Sequence, residues 1–255
     1  MTKDQTKIAL VTGASRGLGK NTALTLAKKG VNVIVTYHSN PEEAHHVVAE
    51  IEELGAKAVA LQLDTSNTKT FDGFAEQVQR VLKDKWQTEH FDFLVNNAGI
   101  GVHASFADTT EDDFDRLMNV HVKGVFFLTQ KLLPLINDGG RIVNISSGLA
   151  RFTTPGYAAY ATMKGAIEVL TRYMAKELGS RQIAVNVVAP GAIETDFNGG
   201  AVRDNPEINS FIASQTALGR VGVTDDIGGA IASLLSEDNR WVNAQRIEVS
   251  GGQYI

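Results

Sequence analysis

The 255-residue chain contains no cysteine. That absence excludes disulfides, thiolate metal sites and cysteine nucleophiles, so any nucleophile or acid here is oxygen or nitrogen. No run approaches the ~20 apolar residues a membrane helix needs, and the opening MTKDQTK is too short and polar for a signal peptide. We therefore expect no membrane contact and a cytoplasmic location. Excess positive charge is also lacking: 24 Lys and Arg are interspersed with 29 Asp and Glu, for a net charge of −5. Without an extended basic patch to meet a phosphate backbone, nucleic acid is not an expected partner. There is no internal repeat, low-complexity tract or linker. At 43% apolar residues a chain of this length fills one well-packed core, which predicts a single domain over 1–255.

From Lys7 the chain reads as an apolar strand, a glycine-rich turn and an apolar-periodic helix closing at Gly30. A second strand (VNVIVTY), a helix over 42–54, a third strand (KAVALQLD), a charged amphipathic helix over 68–85 and a fourth strand (FDFLVNNAG) follow. Such alternation implies right-handed crossovers: an α/β fold, a Rossmann-like doubly wound parallel sheet in three layers. One long helix is expected from Thr110, with Glu111, Asp112 and Asp113 in its first turn, to Pro134 near its close. A fifth strand opens at Gly140 and ends in Ser146 and Ser147; a helix carrying Tyr160 and Lys164 comes next, then the strand IAVNVVAPG. Between 192 and 214 the pattern loosens, so a mobile segment covering a site is expected there. Thr224 is expected to cap a last helix, and QRIEVSGG ends the sheet.

Gly13, Gly17 and Gly19 form G-x-x-x-G-x-G between a strand and a helix. Glycines there permit a tight turn and let a pyrophosphate reach N–H groups at the helix N-terminus. An NAD site places an acid about 20 residues further on, where it binds the ribose 2′-hydroxyl. This chain has Thr36-Tyr37-His38-Ser39 there, with no carboxylate before Glu42. Arg16, inside the turn, is suited to a 2′-phosphate, with His38 and Ser39 adding hydrogen bonds, so NADP(H) is expected over NAD(H). The alternative for Arg16 is a solvated turn residue.

Open parallel sheets bind ligands outside the carboxyl ends of their strands, where Ser147 falls. Tyr160 and Lys164, four apart, share a helical face. A free phenol titrates near pH ~10, and a neighbouring ammonium would lower that value. Asn119, a poor helix former in mid-helix, has an amide able to hold a relay water; a buried, backbone-satisfied polar group is its other reading.

TGASRGLG at 12–19, Asp64 after the third strand, NNAG at 96–99, Asn119, Ser147, YATMK at 160–164 and PGAIET at 190–195 occur in order. With these the chain resembles the short-chain dehydrogenase/reductase family in its single-domain branch, and most of all its 3-oxoacyl-carrier-protein reductase-like members. The resemblance implies that Tyr160 protonates the carbonyl oxygen during reduction. Lys164 would lower the pKa of Tyr160 and bind the nicotinamide ribose, Ser147 would hold the substrate oxygen, and Asn119 would anchor a water relay. On the cofactor side it implies Gly13, Ser15, Arg16, Gly17, Leu18 and Gly19 at the phosphates and Asp64 with Thr65 at the adenine. Asn97, with Ala98 and Gly99, would lie at the ribose, and Pro190, Gly191, Ile193 and Thr195 at the carboxamide end. It also implies a homotetramer with the 112–136 and 157–178 helices at one interface.

Thr65 replaces a frequent valine, a change expected to be tolerated; near the C-terminus Ser250 replaces a frequent aspartate and Ala244 a frequent glycine, changes that bear on subunit contacts more than on chemistry. Phe152 and Tyr157 suggest a partly apolar pocket, or else core. The six histidines form no metal constellation: His45 and His46 diverge on a helix, and His103 and His121 lack a third ligand. No metal is expected. The expected activity is NADPH-dependent reduction of a ketone or aldehyde, 3-oxoacyl-type or other. The alternatives are an alcohol, sugar or steroid dehydrogenase working in oxidation and, from another class, a non-catalytic dinucleotide-sensing protein. An acyl-carrier-protein partner is left open, because Arg151, Arg203 and Arg220 are too scattered in sequence to define a docking patch.

Overall fold

Seven apolar runs pair, all in parallel, into one sheet: β1 (Ile8–Val11), β2 (Asn32–Tyr37), β3 (Ala58–Gln62), β4 (Phe91–Asn96), β5 (Ile136–Ile145), β6 (Ala184–Pro190) and β7 (Arg246–Val249). Their order is β3-β2-β1-β4-β5-β6-β7. The chain reverses direction of travel between β1 and β4, the switch point where such sheets leave a crevice. This computed structural model describes residues 7–255, so the reading of MTKDQTK as no signal peptide falls, for residues 1–6, outside the described residues.

Because successive side chains point to opposite faces, each strand feeds two cores. Ala9, Val11, Val33, Val35, Val95 and Val143 face one layer, made by α1 (Gly17–Lys28), α2 (Pro41–Glu53) and α9 (Thr224–Leu234). Leu10, Ile34, Leu94, Ile142 and Val185 face the other, made by α3 (Phe71–Trp86), α5 (Val125–Leu132) and α6 (Ala158–Glu177). Each fully buried Leu, Ile, Val or Phe contributes about 1.5–3 kcal/mol. The three-layer, doubly wound sheet expected from the alternation is the fold observed.

Four local expectations are revised. The helix expected from Thr110 to Pro134 is broken: α4 (Glu111–Met118) is capped by Thr110, whose hydroxyl accepts from the Asp113 N–H at 3.1 Å. One π-helical stretch, Asn119–Gly124, then joins it to α5, and Leu133–Leu135 turns tightly around Pro134. The π-stretch presses its Gly124 on the Thr65 carbonyl, so close that a Cβ would lie 2.2 Å from that oxygen. β5 starts at Ile136 instead of Gly140, and its register against β4 shifts between Phe91 and Phe93. The loosely patterned 192–214 segment contains two short helices, α7 (Ala201–Asp204) and α8 (Pro206–Ser214). Asn205 caps α8 by accepting from the Glu207 and Ile208 N–H groups, with Pro206 in the first turn. Finally, Thr224 begins α9 but does not cap it: Val223 is the cap residue, and its N–H donates to the Asp226 carboxylate at 2.8 Å. No helix among the described residues is long and apolar enough to cross a membrane.

Candidate active site

The glycine turn is built for close backbone approach. Gly13 and Gly17 take φ of +62° and +55°, and a Cβ on Gly19 would lie 2.2 Å from the Gly13 carbonyl. The Asn97 amide donates to the Thr12 and Gly13 carbonyls at 2.8 and 3.2 Å, and the Asn97 and Ala98 N–H groups donate to the Thr12 hydroxyl. The turn is thus stitched to the loop after β4. The Asn97 N–H is used internally, which leaves its carbonyl for a ribose. The N–H groups of Gly17, Leu18 and Gly19 meet no acceptor among the described residues, as expected of a helix N-terminus awaiting an anion. Ser15 beside them is half-buried, and Thr195 lies over Gly17, its Cβ 4.0 Å from where a Gly17 Cβ would be.

Arg16 is exposed, and its guanidinium makes no hydrogen bond or ion pair among the described residues. His38 and Ser39, just past the end of β2, are also exposed, and the His38 imidazole is 3.8 Å from the Asp64 carboxylate. Burial works against the Asp64 charge, but the Ser66 hydroxyl and N–H hold its pKa below the ordinary value. His38 and Asp64, with Gln62, Leu63, Lys69 and Phe74, line a cavity of about 590 Å³ beside the carboxyl end of β3, and Thr65 follows Asp64 in the chain. At the far side Pro190 ends β6, Gly191 and Ala192 are tied to the C-terminal residues, and Ile193 bridges to Gly222. This constellation fits a phosphorylated dinucleotide: free N–H donors at the turn, an unpaired guanidinium, and a hollow at the adenine end.

The reacting residues converge from two elements. Ser147 caps the short turn after β5, its hydroxyl accepting from the Leu149 N–H at 3.2 Å. That hydroxyl also reaches the Tyr160 phenol on α6, which is 8% exposed. Lys164, one helical turn on, donates from Nζ to the Ile145 carbonyl at 2.8 Å and lies 5.4 Å from the centre of the Tyr160 ring. Ser147, Tyr160 and Lys164 therefore come together as the spacing predicts.

The electrostatics correct one expectation. Burial holds the Tyr160 phenol well above its ordinary pKa; the bond from Ser147 offsets part of this, and Tyr157 adds to it. Lys164 is not among the groups that lower Tyr160 here, and burial lowers its own ammonium to about 7. A phenol that keeps its proton at neutral pH is the state needed to protonate a carbonyl oxygen gaining a hydride.

Asn119 is expected to hold a relay water rather than to bond the reacting groups directly. It opens the π-stretch half-buried, and no side-chain hydrogen bond ties it to Ser147, Tyr160 or Lys164 among the described residues. The side chain that the stretch does bring to Tyr160 is His121, edge-on at 5.3 Å between ring centres. The sequence carried one signal for it, a histidine between Val120 and Val122 in an apolar run. Around Tyr160 stand Tyr157 at 6.5 Å and Phe197 at 5.8 Å, with Phe152 packed on Tyr254 at 4.7 Å and His103 on Tyr157 at 5.0 Å. Tyr157 thus belongs with the site's rim, while Phe152 packs beside Gly148, the residue after Ser147. No group of three His, Asp or Glu among the described residues is placed to hold a metal ion.

A charge network braces Ser147 from below. Arg246 pairs with Glu168 at 2.6 Å and Glu248 at 2.9 Å and donates to the Ser147 carbonyl at 3.3 Å. Glu248 is also held by both arms of Arg151 at 2.7 Å, and Glu168 accepts from the Ser146 hydroxyl at 2.7 Å.

A Tyr–Lys–Ser site beside a dinucleotide turn defines an NAD(P)-dependent oxidoreductase of carbonyl and alcohol groups. Residues 13–253 match the family model described as enoyl-(acyl carrier protein) reductase. The chain is 38% identical to the hydroxynaphthalene reductase-like protein Arp2 of Metarhizium brunneum, over 96% of this chain and 94% of that one. It is similar to the solved structure of the promiscuous reductase LugOII, which catalyses keto-reduction at C1 during lugdunomycin biosynthesis (TM-score 0.93, 38% identity, 98% and 99% of the chains). The angucycline C-6 ketoreductase LanV, with bound NADP, is similar to the same degree (TM-score 0.93, 37% identity, 98% and 97%). The chain belongs to the short-chain dehydrogenase/reductase family.

Proposed function

We propose that the protein is an NADPH-dependent ketoreductase acting on a ketone carried by a fused, largely aromatic ring system. The observation that carries this reading is the buried, proton-bearing Tyr160, beside Ser147, opening onto a rim of aromatic side chains. When bound, the nicotinamide supplies the hydride. Ser147 holds the carbonyl oxygen, Tyr160 delivers the proton to it, and Lys164 positions the ribose. Flat rings suit Phe152, Tyr157, Phe197 and Tyr254, which offer offset and edge-on contacts worth about 0.5–1.5 kcal/mol each. The relatives, a hydroxynaphthalene reductase-like protein and an angucycline ketoreductase, point the same way.

Segment 192–214 serves as the cover of this pocket: Phe197 lies against Tyr160, and the Asn198 amide donates to the Tyr157 hydroxyl at 3.3 Å. Tethering of the substrate to an acyl-carrier protein is disfavoured, since Arg151, Arg203 and Arg220 are each already paired with acids. The test is a ketone panel read by NADPH oxidation. Fused-ring aromatic ketones should exceed linear 3-oxoacyl thioesters at least about tenfold in kcat/KM, a difference of ~1.4 kcal/mol. Equal or better use of the thioesters would overturn the aromatic assignment.

For the cofactor, Arg16 is the residue assigned to the 2′-phosphate. Arg16→Ala should cost NADPH about 10–100-fold in kcat/KM, as expected for one charged hydrogen-bonded contact, and leave NADH nearly unchanged. An equal loss with both cofactors would sink the assignment. We further assign the protein to a cytoplasmic homotetramer. Phe114, Phe126 and Phe127 on α4 and α5, with Val169 and Tyr173 on α6, are exposed apolar groups on the helices expected at an interface. Light scattering should give about four times the 27.4 kDa chain mass, and a monomer would refute it.

A further inference from the structure

His121 is 1% exposed, and the reaction steps derived above do not use it. It sits in the π-helical stretch 119–124, and such turns re-aim side chains relative to an α-helix and cluster at functional sites. Three contacts fix its ring. Nε2 lies 2.8 Å from the Ile100 carbonyl and 3.3 Å from the Ile100 N–H. A neutral imidazole nitrogen cannot donate and accept at once, and the shorter approach, to an oxygen, requires the proton on Nε2. Cε1 fills the space beside Gly99, where a Cβ would come within 2.8 Å of it, so the glycine and the ring are matched. The ring plane also stands at 89° to the Tyr160 ring.

We propose that His121 is a positioning residue of the reaction site, an Nε2–H imidazole that clamps loop 97–101, which borders the cofactor, against the ring of Tyr160. The loop supplies Asn97, Ala98 and Gly99 to the cofactor side, while Tyr160 is the acid. One ring therefore sets the distance between the hydride-bearing and proton-bearing halves of the site, where displacements of about 1 Å cost roughly a hundredfold in rate.

The surroundings keep this ring uncharged. On α6 the titratable groups facing it are Tyr160 and Lys164; loop 97–102 contributes none, and the loop after β3 brings the Thr65 carbonyl to Gly124. Burial first, and the Lys164 ammonium second, lower His121 to about 3, against a small opposing effect of the Ile100 bond. A charged ring here would in turn drive the proton from Lys164.

The inference rests on the ketoreductase reading, and its test separates the two. His121→Phe keeps the edge contact with Tyr160 and removes the donor to Ile100. It should lower kcat about 10–100-fold with KM for NADPH changed less than about threefold, whereas His121→Gln, which restores a donor, should recover most of the rate. A folded His121→Phe variant with kcat within about twofold of the wild type would overturn the proposal. Should that variant not fold, imidazole nitrogen NMR on the wild type decides. The resonance of His121 should report the Nε2–H tautomer and no protonation between about pH 5 and 8; the Nδ1–H tautomer, or titration near pH ~6.5, would overturn it. Failure of the ketoreductase reading would instead appear as a wild type that binds NADPH but reduces no ketone, with the tautomer unaffected.

Discussion

Tyr160→Phe should lower kcat for ketone reduction by about 10²–10⁴-fold while folding and NADPH affinity stay within about twofold of the wild type. The substitution removes one oxygen and its proton from a ring that stays packed between His121, Tyr157 and Phe197. The shape of the site is thus preserved, and what is lost is the donor to the developing alkoxide. Ser147 can still hydrogen-bond a substrate oxygen, so a residual rate from positioning alone is expected. Thermal melts and NADPH fluorescence titrations, run beside the kinetics, make the comparison clean. Turnover near the wild-type level in a folded, NADPH-binding variant would show that another group is the acid.

Lys164→Met should abolish most turnover, by about 10²-fold or more, and at the same time stabilise the apoprotein at neutral pH by roughly 1–3 kcal/mol. The two effects have one origin. Lys164 is 4% exposed, and burial lowers its ammonium from 10.5 to about 7. Between those values the unfolded chain holds a proton that the folded chain has released. This group therefore makes folding more favourable as pH rises from about 7 towards 10.5, and its whole cost, on the order of 5 kcal/mol, is present below pH 7. Methionine removes that cost but leaves the Ile145 carbonyl without its 2.8 Å donor, which offsets part of the gain. Chemical denaturation at pH 6 and pH 9 should show the wild type gaining on the variant as pH rises. A variant less stable than the wild type at both values would mean that the lysine is structural, not a charge held in place for chemistry.

The sheet was legible because its strands are buried on both faces and read as short, unbroken apolar runs such as IALV and FDFLV. The glycine turn was equally legible, since its geometry allows little else there; the Tyr160–Lys164 pair, which alone reads as two surface neighbours, became legible only through its joint spacing with Ser147, Asn119 and the glycine turn. What sequence did not disclose is the phase of the helix before them. A π-stretch at 119–124 changes the rotation between α4 and α5, and each residue's step around a helix is about 100°. No periodicity argument through that break could decide whether Asn119 or His121 faces Tyr160. The direction of the Tyr160 and Lys164 shifts was likewise hidden, because proximity in sequence suggests mutual charge stabilisation while burial of both groups acts against it. Segment 192–214 read as loose owing to Gly199, Gly200 and Pro206. Even so, Asn205-Pro206 is a readable helix start, with the amide at the cap and the proline in the first turn.

The central claim is that hydride passes from NADPH to a ketone carbon while Tyr160 supplies the proton to its oxygen. It is tested most directly by mass spectrometry of the alcohol formed from a fused-ring aromatic ketone and NADPH deuterated at its transferable position. The account predicts one deuterium on the carbinol carbon, and none on that carbon when unlabelled NADPH is used in deuterated water. Solvent deuterium on the carbinol carbon, or NADPH binding without transfer to any ketone, would contradict it.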